Sequence, residues 1–343
     1  MERVKTNRRP TVTPTRPHPR TPTLLYSHTF ILSFSLSPGL LASLSVVFCV
    51  CGALLLGAVV IAWFSMHPIR SRRFRQTPAS FSAPFEDIEF PSHDGTPLSG
   101  WLIPAENARA VILLCHGMSA DRTQMLPWAD WLRQEGYTLL LFDFRALGRS
   151  GGDLCTMGLY EPGDIQGALD YLDARADTGK LPVAIMGFSM GGVAAIIAAA
   201  DDTRIRAVVS HGAYSDLNRA ISQRCRKHFG HAGPVVEAVS RRIGQRWFPA
   251  SSEEVSPIKA IGRIAPRPVL LLNGLHDRIV LPVNAEDMHA AAGGAAEVWI
   301  LPNSPHAYPT GADLDLYKER VIAFFNRSLA ENRLSPDKED SFA

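Results

Sequence analysis

The sequence predicts an α/β protein built on a mostly parallel, doubly wound sheet, and three observations carry that prediction. Apolar, strand-like runs alternate with segments of helical periodicity over residues 80–330, the pattern of strands joined by crossover helices. The inner runs, "AVILL" (110–114) and "VLLL" (269–272), are continuously apolar, as strands covered on both faces must be. A chain of 343 residues, 46% hydrophobic and 20% charged, has material for one large core.

The elements follow from the N-terminus. Residues 1–39 open on a stretch rich in Arg, Thr and Pro, a composition that cannot bury a core and reads as disordered. From Thr21 to Ile69 there is no Asp, Glu, Lys or Arg, and "LLASLSVVFCVCGALLLGAVVIAWF" (Leu40–Phe64) is wholly apolar or small. As a helix it is about 37 Å long, enough to cross a hydrocarbon layer of about 30 Å. Residues 40–64 therefore read as a single transmembrane helix, with Trp63 and Phe64 at the interface. The run exceeds the roughly 7–15 residues of a cleaved signal, and no small-x-small site follows it. A basic linker, 65–79, contains "RSRRFR" (70–75). Six basic residues precede the span and four follow it, so the side on which the rest of the chain lies stays open. If residues 1–39 are not part of the mature protein, the four following arginines favour the cytoplasmic side.

Next, "FEDIEFP" (85–91) and "PLSGWLIP" (97–104) flank Asp94-Gly95, a hairpin signal. Strands are expected at "AVILLCHG" (110–117), "YTLLLFDF" (137–144), "LPVAIMGF" (181–188), "IRAVVS" (205–210), "RPVLLLNG" (267–274) and "AEVWILP" (296–302). Helices are expected over 121–134, 162–176, 190–200, 283–292 and 314–329, the second from Ile165, Leu169 and Leu172 at helical spacing. The domain spans 80–330, and residues 331–343 form a disordered tail.

Charge narrows the function. Residues 1–75 hold ten Lys/Arg and one acid, whereas the remainder holds twenty-five against thirty-two. A mildly acidic folded part argues against a nucleic-acid partner. The five cysteines have no metal-ligand spacing, and no cofactor is implied.

Two stretches, "GFSMG" (187–191) and "GRSGG" (148–152), satisfy G-x-S-x-G. As a nucleophile elbow the pattern needs a buried strand before it and a helix directly after, which lifts the hydroxyl above the sheet edge. Ser189 meets both demands. Around Ser150 three residues intervene after the strand, and "GGDLCTMG" follows as a loop. Ser189 is the expected nucleophile, and "GRSGG" a loop shaping the pocket rim.

Such a serine needs a base, an acid and an oxyanion site, in the chain order serine, acid, histidine. Asp277, in "LHDRIVLP", and His306, in "LPNSPHAY", each follow a strand, where doubly wound sheets place their sites. Asp216, in "HGAYSD", is the runner-up acid. His276 adjoins Asp277 but diverges from it, His289 falls in an expected helix, and His228 and His231 lie in an irregular segment. The backbone N–H groups of Met118, after "LLCHG", and of Met190 are the expected oxyanion donors. His116 is expected to hold the shape of that loop.

Residues 80–330 resemble the α/β-hydrolase superfamily, particularly membrane-anchored bacterial serine hydrolases of the serine aminopeptidase/lysophospholipase-like group. The resemblance rests on "DGTPLSGWLIPA", "LLCHGM", "FDFRALGRSGG", "GFSMGG", "PRPVLLLNGLHDRIV" and "SPHAY". It implies Ser189 as nucleophile, His306 as base, Asp277 as its orienting acid, and structural roles for Arg145 and the glycine loop. Ala146 stands where the family usually has glycine, and "NSPH" replaces the commoner "GAGH". A small helical lid is expected at about 213–263, where nine Lys/Arg face four acids, with Ser251 or Ser252 as a helix cap. Two readings of its charge stay open: a basic cover favouring anionic or membrane-surface substrates, or a solvated helical face.

The expected activity is hydrolysis of an ester, thioester or amide of a small acyl substrate through an acyl-enzyme. Peptidase or acyltransferase chemistry on the same fold, and a non-catalytic binding protein, are the alternatives. Oligomeric state is not legible.

Overall fold

Every expected strand is present in the computed structural model, which describes residues 37–70, 75–246 and 248–330. The expectations for 1–36, 71–74 and 331–343 lie outside the described residues. The strands are β1 (Glu86–Pro91), β2 (Pro97–Ile103), β3 (Val111–Cys115), β4 (Thr138–Phe142), β5 (Val183–Phe188), β6 (Ile205–His211), β7 (Val269–Gly274) and β8 (Ala296–Leu301). They form one sheet in the order β1-β2-β4-β3-β5-β6-β7-β8. β1–β2 and β2–β4 pair antiparallel; the six strands from β4 to β8 are parallel.

The helices are α1 (Pro38–Met66), α2 (Leu126–Gln134), α3 (Glu161–Asp173), α4 (Met190–Asp201), α5 (Leu217–Phe229), α6 (Gly233–Gly244), α7 (Pro257–Ala260), α8 (Val283–Ala291) and α9 (Ala312–Ala330). The chain divides into two compact units at Cys49/Val50. The described part of the first is the beginning of α1, and α1 is long and apolar enough, by length and composition, to cross a membrane. In the second unit, successive strand residues face opposite ways. Val111, Leu113 and Cys115 of β3 join a core with Ile165, Val193 and Met288 of α3, α4 and α8. Ile112 and Leu114 join a second core with Trp128 of α2 and Phe324 and Phe325 of α9. This is a doubly wound sheet, and its inner strands, buried on both faces, are the unbroken apolar runs that the sequence displays.

Several boundaries shift. The apolar helix expected at 40–64 runs from Pro38 to Met66. The helix expected from Asp121 opens as a 3-10 turn, Arg122–Met125, capped by the Asp121 carboxylate, which accepts from Thr123 N, and α2 follows. α3 stops at Asp173 rather than 176. The segment read as irregular contains three helices, α5, α6 and the short α7, so His228 lies in α5 and His231 in the turn after it. Ser251 is the cap of the turn Ser252–Glu254, with Glu254 completing a capping box.

Candidate active site

The carboxyl ends of β5, β7 and β8 bring three of the expected residues together. β5 ends at Phe188, α4 starts at Met190, and Ser189 between them is held at φ 53°, ψ −118°, a strained backbone of the kind kept where function needs it. The turn closes only because of its glycines. A β-carbon on Gly187 would collide with the Gly191 carbonyl, and one on Gly191 with the carbonyl of Cys115. The Ser189 amide is pinned to the His211 carbonyl at 2.8 Å.

Asp277 follows β7 and is buried. Its Oδ1 accepts from the Ile279 and Val280 amides, both at 2.8 Å, leaving Oδ2 for one partner. That partner is His306, whose Nδ1 lies 2.6 Å from Asp277 Oδ2 and whose Nε2 lies 3.0 Å from Ser189 Oγ. Asp277 Oδ2 thus fixes Nδ1 as the protonated nitrogen and leaves Nε2 free to accept from the serine hydroxyl.

The expected oxyanion residues are adjacent to this chain of contacts. Met190 is the first residue of α4, where a helix leaves its amide N–H groups without internal partners. β3 pairs beside β5, with Cys115 opposite Gly187, and Met118 lies on the loop after β3. That loop touches the elbow: a β-carbon on Gly117 would sit 3.3 Å from Ser189 Cβ. Gln124 Oε1 accepts from Gly117 N at 2.7 Å and holds the loop there. His116 shapes it further. Its Nε2 accepts from Phe144 N at 3.0 Å, so Nδ1 donates to the Gly117 carbonyl at 2.8 Å. Burial pushes its pKa down, so it is neutral.

The family model described as serine aminopeptidase, S33, matches residues 106–255. An esterase of Pyrococcus furiosus superposes with a TM-score of 0.65 at 24% identity, over 77% of this chain and 98% of the esterase. The chain has the α/β-hydrolase fold. The chain is also similar to YfhR of Salmonella typhi, 27% identical over 262 residues, 71% of this chain and 82% of that one. Over 130 residues it is 33% identical to polyketide transferase af380 of Aspergillus fumigatus, 36% of this chain and 44% of that one.

The other candidate residues are used elsewhere. Ser150 is buried: its Oγ donates to the Asp143 carbonyl and accepts from Ser99 N. Asp216 caps α5, accepting from Asn218 N and Arg219 N. His276 and His228 are exposed, and His289 bonds the Ala296 carbonyl. Arg145 donates to Asp164, Asp94 and Ser92 and ties the glycine loop to α3 and the first hairpin. Among the described residues, no group of three or more His, Cys, Asp or Glu side chains could hold a metal ion.

Sequence reasoning missed a layer behind the site. Buried His211 ends β6, and Phe188 lies between it and His306, with ring centroids at 5.2 and 4.9 Å. Trp128 Nε1 donates to Tyr317 Oη at 2.9 Å, and that hydroxyl lies 3.2 Å from His211 Nδ1. Burial, with His306 nearby, pushes the His211 pKa down to about 3. Its position at a strand's carboxyl end is the signal that singled out Asp277 and His306. Asp313 was also missed: its carboxylate accepts from Asn303 N, Asn303 Nδ2 and Ser304 Oγ, fixing the "NSPH" loop that carries His306.

Proposed function

We propose that this protein is a membrane-anchored serine hydrolase that cleaves a carboxylic ester, thioester or amide through an acyl-enzyme. One observation carries the reading: Ser189 Oγ, His306 and Asp277 form a continuous line of contacts, 3.0 and 2.6 Å, at the carboxyl ends of parallel strands. α1 supplies the anchor, and the substrate is a small acyl compound that needs no cofactor.

Ser189 Oγ attacks the acyl carbon while His306 Nε2 takes its proton. The imidazolium is stabilised by Asp277, whose carboxylate accepts from two backbone amides and from His306 Nδ1. Negative charge on the carbonyl oxygen is met by the Met118 and Met190 amides, each such donor being worth about 100–1000-fold in turnover. Collapse expels the alcohol, thiol or amine, which receives the proton from His306. Water then attacks the acyl-serine with His306 again as base, releasing the acid and restoring Ser189.

A second reading replaces water by an amine or alcohol, or takes peptides as substrates. It is supported by the matched model's description as a serine aminopeptidase and by the similarity to a polyketide transferase. A panel of p-nitrophenyl esters of increasing chain length beside aminoacyl-arylamides separates these chemistries. We expect a burst of p-nitrophenol equal to the enzyme present, followed by slower turnover. Folded protein that turns over no member of the panel would overturn the reading.

A further inference from the structure

We propose that the mouth of this site is a membrane-docking surface. The lid hairpin α5–α6 and the loop 275–281 rest on the headgroups of the anionic bilayer that holds α1, and acyl substrate enters from the lipid side. The inference deepens the serine-hydrolase reading, and takes from it both the site and the anchor.

The first observation is attachment. From Val50 on, α1 belongs to the same compact unit as the sheet. Ala58 is buried in an apolar cluster with Cys225 of α5 and Val236 of α6, joined by Ile221 and Phe229. At the end of the helix the Met66 carbonyl accepts from Cys155 N at 2.8 Å, and Arg70 donates to the Ser150 carbonyl at 3.1 Å. Cys155 Sγ in turn lies 3.5 Å from Met190 Sδ, beside the nucleophile. The side of the domain that meets α1 is therefore the side that carries the elbow and the lid.

The second is charge. The lid's nine Lys/Arg and four acids stand out from a domain that is acidic elsewhere. α5 ends on Arg226, Lys227 and His228, all exposed, and α6 on Arg241 and exposed Arg242. An open groove of about 500 Å³ along α6 is lined by Pro234, Glu237, Ala238, Arg241, Arg242 and Gln245, and Ser189 is not among its lining residues. Lys227 Nζ donates to the Arg278 carbonyl at 3.0 Å, which joins the lid to the loop of Asp277.

The third is exposed apolar surface. Beyond α1 and Ile69, the large exposed hydrophobics among the described residues are Tyr160, Val235, Leu275, Ile279, Leu281 and Leu316. Four of the six lie on the lid or the Asp277 loop: Val235 at 67%, Leu275 at 53%, Ile279 at 45% and Leu281 at 41% exposure. Helices with a cationic face beside apolar side chains lie in the plane of an interface. An anionic leaflet favours each nearby Lys or Arg by roughly fivefold in partitioning, so a lid of this charge selects an anionic surface over a neutral one.

The test uses the full chain in lipid nanodiscs made from phosphatidylcholine alone or from phosphatidylcholine with phosphatidylserine. Amide exchange of 217–244 and 275–281 is measured, with turnover of a water-soluble short p-nitrophenyl ester and of an acyl lipid dispersed in the disc. We expect both segments to be better protected in the anionic discs. The double variant Leu275→Ser/Leu281→Ser should lose about tenfold on the lipid, and Arg226→Gln/Arg242→Gln roughly fivefold or more, each keeping wild-type turnover of the soluble ester. Equal protection in both discs, with lipid turnover untouched by the variants, overturns the proposal. So does protection that persists in neutral detergent micelles and rises with protein concentration, which would assign the face to a second copy. Failure of folded wild type to turn over the soluble ester would sink the serine-hydrolase reading instead, while the exchange measurement still decides the docking.

Discussion

Ser189 and Ser150 occupy the same five-residue pattern and have opposite fates. The Ser150 hydroxyl is buried, with its proton given to the Asp143 carbonyl and its oxygen accepting from Ser99 N. The Ser189 hydroxyl faces an imidazole nitrogen at 3.0 Å, a partner that can take the proton away. At 150 the glycines serve a loop: a β-carbon on Gly148 would run into the Asp143 carboxylate. At 187 and 191 they let a strand turn into a helix without a clash. The pattern records only that the backbone turns tightly beside a hydroxyl. What the hydroxyl does is decided by whether its hydrogen-bonding capacity is already spent.

The largest effect that sharpens this contrast is the loss of either serine. Ser189→Ala should lower turnover of a p-nitrophenyl ester by about 10⁴–10⁶-fold with little change in thermal midpoint. Ser150→Ala should do the reverse, leaving turnover of the folded protein near wild type. It should cost about 1–3 kcal/mol in denaturant unfolding, because it strips the half-buried Ser99 amide of its acceptor.

Asp277→Asn comes next. An amide can still accept from Ile279 and Val280 but no longer holds Nδ1 as the protonated nitrogen, so kcat should fall by about 10³–10⁴ with KM little changed. Gly191→Ala should destabilise the elbow by about 3 kcal/mol or more through its collision with the Cys115 carbonyl, read as loss of folded protein on urea titration.

A smaller effect concerns the buried layer. His211 has a folded pKa of about 3 against roughly 6.5 when unfolded. The unfolded chain therefore binds the extra proton between those values. Stability from this group is complete above about pH 6.5 and declines as pH falls toward 3, by up to about 1.4 kcal/mol per pH unit. His211→Gln should flatten that limb of a urea-unfolding pH series; an unchanged slope would assign the acid sensitivity elsewhere.

The smallest is Ala146→Gly. Ala146 is buried at φ 60°, the left-handed region that costs a β-carbon about 1–2 kcal/mol. Glycine should raise stability by about 1 kcal/mol without altering turnover of a soluble ester.

The same two regions show what the sequence could express. Strands β3 to β7 were legible because burial on both faces demands unbroken apolar runs. The placement of Ser189, Asp277 and His306 at one sheet edge was legible because each lies just past the carboxyl end of a strand. The presence of a helical lid was legible, but its individual helices were not: α5 buries only Leu217 and Cys225, so little core imposes a period on "LNRAISQRCRKHF". The layer behind the site was hidden for another reason. Tyr317 meets His211 across 106 residues and Trp128 across 189, and no local pattern encodes a contact that the fold alone assembles. Ala146 was visible as a departure from glycine, but only the backbone shows that the position needs a positive φ.

The central claim, that environment and not pattern selects the nucleophile, is tested most directly by a fluorophosphonate probe on the folded full-length protein, followed by peptide mapping. The account predicts one adduct, on Ser189, lost in Ser189→Ala and retained in Ser150→Ala. An adduct on Ser150, or no labelling of folded wild type, would contradict it.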